Sequence, residues 1–392
     1  MATLGMWKLL NLFVHLYGSK LRLMNYKVIV PARKLLLCSP VPKKRQCFLV
    51  MCTLCFALHA LLCFGMLARK LSSKRSTEPG ETDTTQILRT YLQLLSAFLS
   101  AAVGAMNYVI CWTPVVASCI LNNIVKFQEK AREVTRIKDF QRNKYAIVEA
   151  GMLLMLIGTY IILFVTGPIA IYVGVDPLSE LFGNQDEYGV VGKISLILVR
   201  LVIFLIALLE IAKSSNALFI VTLLGICSIN DVLSDLSRAA RIRRILGGFK
   251  EIKLYRELFI WNKYTNQNFC SFEAPPLIFF GSGVIVLTYY GTIRMYGKMA
   301  VLPYLINPIT WVLATFFLVL LVPHAANCWE YANTFLRQKR NCCDLLKAQR
   351  KVWKSMRPLN IQVGPFGVIR RGLKSLVIKY IVDNTITLLL AF

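Results

Sequence analysis

Residues 146–175, AIVEAGMLLMLIGTYIILFVTGPIAIYVGV, carry a single charge, Glu149. The run exceeds the roughly 20 apolar residues needed to cross ~30 Å of hydrocarbon as a helix. Lipid offers the backbone no hydrogen-bond partners, so such a segment must satisfy its own peptide groups, which a helix does. The short alternating segments of a transmembrane barrel do not occur.

Working outward, similar runs recur on both sides. Upstream lie 47–68 and 88–121, the latter broken by Pro114; downstream lie a run from 194 past 220, then 277–296, 304–329 and a short final run at 375–392. The fold expected is therefore an all-α membrane protein of seven transmembrane helices. The run beginning at 194 contains Arg200, Glu210 and Lys213, so part of it is expected to leave the bilayer or pack against protein. Pro275 and Pro276 mark the expected start of the fifth span. Hydrophobic residues make up 56% of the 392-residue chain and charged residues only 17%, with a mean hydropathy of +0.56.

Charge gives the spans a direction. The chain has 46 Lys and Arg against 20 Asp and Glu, a net +26. By the positive-inside rule, the N-terminal segment and the second, fourth and sixth loops are cytoplasmic, since they hold roughly 35 of those cations. The N-terminus is then cytoplasmic and the C-terminus extracellular. The domains expected are a cytoplasmic N-terminal segment (1–46), six spans with a ligand-binding bundle (47–328), a cytoplasmic anchor segment (329–374) and a seventh helix (375–392). Leu9 to Tyr17 lacks a small-residue cleavage site, so the first span is expected to act as its own insertion signal in a multi-pass plasma-membrane protein.

Several functions find no support. The basic residues sit between apolar runs and form no continuous face for nucleic acid. His15, His59 and His324 are scattered, with no metal-ligand spacing or nucleophile motif, so neither enzyme chemistry nor a cofactor or metal is expected. The twelve cysteines fall in apolar runs or on the cytoplasmic side, where thiols stay reduced. Gly281-Ser282-Gly283 lies inside a span and reads as a close helix contact.

The last run is the most informative. Lys379, Asp383 and Thr387 recur every four residues and so stack on one helical face. Such a face suits a pore wall; the alternative is a local ion pair between Lys379 and Asp383. The terminal sequence Asn384-Thr385-Ile386-Thr387-Leu388-Leu389-Leu390-Ala391-Phe392 resembles the C-terminal signature of the insect gustatory receptors: Thr-Tyr, five mostly aliphatic residues, then Gln-Phe. Gly364-Pro365-Phe366 resembles an upstream Gly-x-Phe of the same family. Asn384 and Thr385 stand in place of Thr-Tyr, and Ala391 in place of Gln.

That resemblance implies a tetrameric, ligand-gated, non-selective cation channel, with monovalent and divalent cations as permeant partners and a small-molecule tastant as ligand. It implies a pore lined by Asp383, Asn384, Thr387, Leu388 and Ala391, with Leu388 as a hydrophobic gate that excludes ions while narrow. It further implies a ligand pocket in the outer half of the bundle. Tyr91, Phe98, Tyr160, Phe164, Tyr172, Arg200, Phe204, Tyr289, Tyr290, Arg294, Tyr304, Asn307 and Trp311 lie at that depth; an interfacial aromatic belt is the competing reading. Arg200 and Arg294, if turned inward, would favour an anionic or hydroxyl-rich ligand. Two other classes remain as alternatives: a G-protein-coupled receptor, whose orientation would be inverted, and a secondary transporter, which would show paired broken helices or inverted halves.

Overall fold

A computed structural model describes residues 3–18, 26–37, 43–73, 84–112, 114–135, 145–173, 189–242, 248–298, 301–342, 345–364 and 367–391. The described residues are almost wholly helical. Its helices are α1 (Leu4–Gly18), α2 (Lys43–Ser73), α3 (Thr84–Trp112), α4 (Pro114–Thr135), α5 (Ala146–Val173), α6 (Val190–Ile242), α7 (Gly248–Thr265), α8 (Ser271–Arg294), α9 (Val301–Arg340), α10 (Lys347–Ser355) and α11 (Arg371–Ala391). A short antiparallel hairpin, β1 (Tyr26–Ile29) and β2 (Lys34–Leu37), follows α1, with Tyr26 paired to Leu37 and Ile29 to Lys34.

Among the described residues, four helices are long and apolar enough to cross a membrane, within α5, α6, α8 and α9. Shorter apolar stretches lie in α2 and α3, at Thr53–Arg69 and Thr90–Met106. Pro114 divides the second expected span because it removes a backbone donor, and it opens α4, where its fixed φ suits a first helical turn. The 53 residues of α6 extend about 80 Å at 1.5 Å per residue, far beyond the hydrocarbon thickness. The 40-residue α9 likewise continues past its apolar part into Arg337, Lys339 and Arg340.

The expected helix start at Pro275 and Pro276 is displaced. Helical structure runs unbroken from α7 through a π-helical turn, Asn266–Cys270, into α8, and both prolines lie inside α8. Proline cannot supply the i→i−4 donor, and a widened turn just upstream is a recurrent way of accommodating such a disturbance without ending the helix.

Apolar packing divides into three clusters. The largest joins α4, the second half of α6, α7, the second half of α9, α10, Met356, Leu359, Ile361, Val363 and Ile369 after it, Ile285 of α8 and Val377 of α11, with Tyr255, Phe335 and Trp353 fully buried at its centre. A second joins α1 to α5, α6 and α9. The third is small, formed by Tyr91, Leu287, Tyr290 and Met295, with Leu388 and Leu389 of α11 packed against it. In α1, Met6, Trp7, Leu10, Phe13 and Tyr17 recur at helical spacing and are all buried, so the N-terminal segment is part of the packed bundle.

Candidate functional site: the last helix and the cluster it touches

α11 packs on α8 and α9. Val377 and Thr385 are buried, and Ile381, Leu388 and Leu389 are half-buried, all on one side of the helix. Successive residues turn by about 100°, so Lys379, Asp383, Thr387 and Leu390 fall on the opposite side. All four are exposed, Leu390 at 84%. Among the described residues no ion pair joins Lys379 to Asp383. The Thr387 hydroxyl donates to the Asp383 carbonyl at 2.8 Å, that of Thr385 to the Ile381 carbonyl at 2.8 Å, and the Asn384 amide to the Tyr380 carbonyl at 2.7 Å. These bonds run within the helix, which leaves the Asp383 carboxylate as the strongest outward-facing acceptor. Ala391 is exposed on the same end, Leu388 turns toward its own bundle, and Phe392 lies outside the described residues.

The cluster beneath Leu388 is built around a polar contact. The Tyr91 hydroxyl of α3 lies 2.8 Å from Asn307 Oδ1 of α9 and 3.2 Å from the Leu287 carbonyl of α8. Tyr91 and Tyr290 approach at 6.2 Å between rings. Gly291 is what admits Tyr91, because a Cβ there would collide with the phenol oxygen. Asn307 is 1% exposed, and its Nδ2 has no hydrogen-bond partner among the described residues. A buried, unpaired amide donor is costly unless something supplies an acceptor.

The other candidate ligand residues distribute around this centre. Phe98 packs on the Gly283 backbone and stacks with Phe279 at 6.5 Å, which gives the Gly281-Ser282-Gly283 segment its role as a helix contact. Tyr289 and Trp311 stack at 5.0 Å with a 13° interplanar angle, and Tyr304 donates to the Thr292 carbonyl at 2.9 Å; both join α8 to α9. Tyr160 and Phe164 belong elsewhere. They pack edge to face at 5.3 Å on α5, Tyr160 against α1 and Phe164 58% exposed. Arg200 is 2% exposed, whereas Arg294 is exposed at the end of α8. The structure thus gathers Tyr91, Phe98, Tyr290, Asn307 and Leu388, and places Tyr160 and Phe164 elsewhere. Tyr172 falls on α5 with its side chain outside the described residues, and Phe204 of α6 packs with the α1 group.

Below α11, a second arrangement escaped the sequence reading. Asn262 Nδ2 donates to the Asn360 carbonyl at 2.8 Å and its Oδ1 accepts from the Asn360 N–H at 3.1 Å. Asn266 Nδ2 donates to the same carbonyl at 2.9 Å and its Oδ1 accepts from the Gln362 N–H at 3.1 Å. Two amides one helical turn apart therefore act as a neighbouring strand for the extended segment that leads to α11. Tyr255 adds a bond to the Arg357 carbonyl at 2.9 Å, and Arg340 one to the Met356 carbonyl at 2.6 Å. Gly364 has φ +48, and a Cβ there would stand 3.0 Å from Pro275 and 3.1 Å from the Ser271 carbonyl. This supplies a reason for Gly364; Pro365 and Phe366 lie outside the described residues. Nearby, the Lys339 ammonium meets the Glu251 carboxylate at 2.5 Å with both side chains buried. Burial pushes the Glu251 carboxyl above its ordinary value, and Lys339 pulls it back.

No protein-family model and no curated protein sequence matches the chain. Solved structures do. The insect olfactory receptor OR5 from Machilis hrabei superposes with a TM-score of 0.61 over 90% of this chain and 91% of that one, at 10% identity. The same receptor in complex with eugenol superposes with a TM-score of 0.53 over 86% and 88%, again at 10% identity. At this identity the likeness is one of fold, extending over nearly the whole of both chains.

Proposed function

We propose that this membrane protein, with the fold of an insect olfactory receptor, is a chemosensory, ligand-gated, non-selective cation channel of the gustatory receptor type. It crosses the plasma membrane seven times with a cytoplasmic N-terminus, and four copies place α11 around a common axis. The observation that carries this reading is the two-sided nature of α11. One side is seated on α8 and α9, while Asp383 and Thr387 stand uncovered on the other. Charged groups in a span face protein or water, and a fourfold ring of Asp383 carboxylates supplies a cation-attracting wall.

Ligand enters the outer half of the bundle, near Tyr91, Tyr290 and Asn307. The unpaired Asn307 Nδ2 selects a ligand with a hydrogen-bond acceptor, such as a carbonyl, ether or hydroxyl oxygen. Leu388 and Leu389 rest on that same cluster, so a ligand that binds better when the cluster is rearranged shifts the position of α11 and the open population with it.

Two substitutions separate the candidates for the gate. Leu388 is the gate by resemblance, whereas Leu390 shares the exposed side with Asp383 and Thr387. Whole-cell recording should show raised basal leak in Leu390→Ser or Leu388→Ser; the variant that leaks identifies the constriction. Ligand-evoked signals that require G proteins, or unaltered closed states in both variants together with no current from any subunit combination, would overturn the channel reading.

A further inference from the structure

α2 and α3 pack along one another, and a thiol, an imidazole and a hydroxyl meet on their shared seam. His59 and Cys63 are four residues apart on α2, so they stand on the same side of the helix one turn apart. Cys63 Sγ lies 3.6 Å from His59 Nε2 and 3.9 Å from Nδ1. From α3, the Ser96 hydroxyl approaches the same Nε2 at 2.9 Å. Cys63 is 3% exposed, whereas His59 and Ser96 are half-buried, so the approach to the sulfur is from the His59 side of the seam.

The chemistry of the three groups fits together. A thiol in apolar surroundings holds its proton, because a bare thiolate there is poorly solvated. A base within hydrogen-bond reach removes that obstacle, since the proton leaves the sulfur as the sulfur forms its new bond. His59 Nε2 is such a base when the ring proton sits on Nδ1. Ser96 serves both forms of the ring: its hydroxyl donates to neutral Nε2, and turns to accept from Nε2–H once the ring is protonated.

The surroundings select the reagent. Phe64, next to Cys63 in the chain, meets Phe98 of α3 edge to face at 5.6 Å, and Phe98 meets Phe280 of α8 at 6.0 Å. Leu58, Leu61 and Leu62 of α2 are exposed, so the hairpin presents an apolar surface beside the seam. Uncharged molecules enter such a place from hydrocarbon at far lower cost than ions. We infer that Cys63, His59 and Ser96 form a covalent capture site for small, uncharged electrophiles that carry a carbonyl-activated C=C bond. The Cys63 sulfur bonds to the β-carbon, the C=C π bond breaks, and its electron pair passes to the carbonyl as an enolate. The thiol proton moves to His59 Nε2 and from there to the α-carbon, so adduct and ring both end neutral and no further reactant takes part. The site does not rest on the channel reading.

The test uses the full-length protein in lipid nanodiscs with N-ethylmaleimide as the electrophile, and follows each cysteine over time by peptide mass spectrometry. Cys55, exposed about two turns earlier on the same helix, is the internal reference. Expected is labelling of Cys63 at least as fast as that of Cys55 despite its burial. His59→Gln should slow Cys63 roughly 100-fold, the scale of a lost general base, and leave Cys55 unchanged. Ser96→Ala should also slow Cys63, and Ser96→Thr, which keeps the hydroxyl, should restore it. Unfolding of a variant would speed the labelling of a buried cysteine, so slowing reports the chemistry and not a lost fold. Cys63 left unlabelled while Cys55 reacts, or labelled at the same rate in His59→Gln as in wild type, overturns the inference.

Discussion

Single side chains carry the sharpest tests. Asn262→Ala removes partners from both the N–H and the carbonyl of Asn360, and each buried group left open costs roughly 1–3 kcal/mol. Asn266 shares the load, so the double replacement of Asn262 and Asn266 should destabilise more than either single one, read as a lower unfolding midpoint. Asn262→Gln keeps the amide but displaces it and should rescue little. Gly364→Ala meets both an unfavourable φ and Pro275, and a loss of about 1–2 kcal/mol is expected. In the Tyr91 cluster, the proposed ligand site, Asn307→Ala removes a donor that has no partner among the described residues. A weakened response to acceptor-bearing ligands, with basal current unchanged, is the expected result in recordings across a ligand panel.

Glu251 and Lys339 give a pH dependence whose sign follows from burial. A carboxyl raised above its unfolded value contributes stability below that value, near 4.5, and loses it as pH rises through the folded one. Removing the partner cation leaves a buried carboxylate alone, a loss of ~3–5 kcal/mol when charged. Lys339→Met should therefore unfold more easily at pH 8 than wild type and recover as pH falls toward 5; an equal deficit at both values would assign the loss to packing, not charge.

At the scale of elements, apolar run length and proline made most of the helices legible. Residues 146–175 foretold α5, Pro114 foretold the division between α3 and α4, and the charges in the fourth run, expected to leave the bilayer or pack against protein, are buried on α6. Other elements were not legible. α1 has apolar residues at helical spacing, yet nothing in a local pattern says that they pack on residues 149–224. Pro275 and Pro276 read as a helix boundary because a widened turn that absorbs them is decided by what α7 packs against. The Asn262 and Asn266 pair was equally silent, since its partners lie almost a hundred residues away and are backbone atoms, which no side-chain pattern records. In the candidate site, the aromatic residues were visible in the sequence but their grouping was not. Tyr91 meets Asn307 because Gly291 makes room, and Tyr160 turns instead to α1.

The π-helical turn and the asparagine pair also connect elements. They join the lower end of α8 to the segment that leads into α11, while the upper end of α8 carries Tyr290 and Gly291. α8 thus touches α11, or the segment leading into it, toward both of its ends. If this connection shapes gating, Asn266→Ala should change the ligand concentration for half-maximal current while surface expression stays near wild type.

For the whole molecule, the large cluster formed by α4, α6, α7, α9 and α10 also holds Val377 of α11, while Leu388 and Leu389, nearer the end of that helix, rest on the small Tyr91 cluster. A single copy leaves Asp383, Thr387 and Leu390 uncovered, an arrangement that only an aqueous or protein neighbour makes favourable for Asp383 in a membrane. The direct measurement is a cryo-EM reconstruction of the full-length protein in lipid nanodiscs. Four α11 helices around a central axis, with Asp383 and Thr387 facing it, is the expected result. A monomer, or an assembly with α11 on its lipid-facing rim and Asp383 turned to the acyl chains, would contradict the channel.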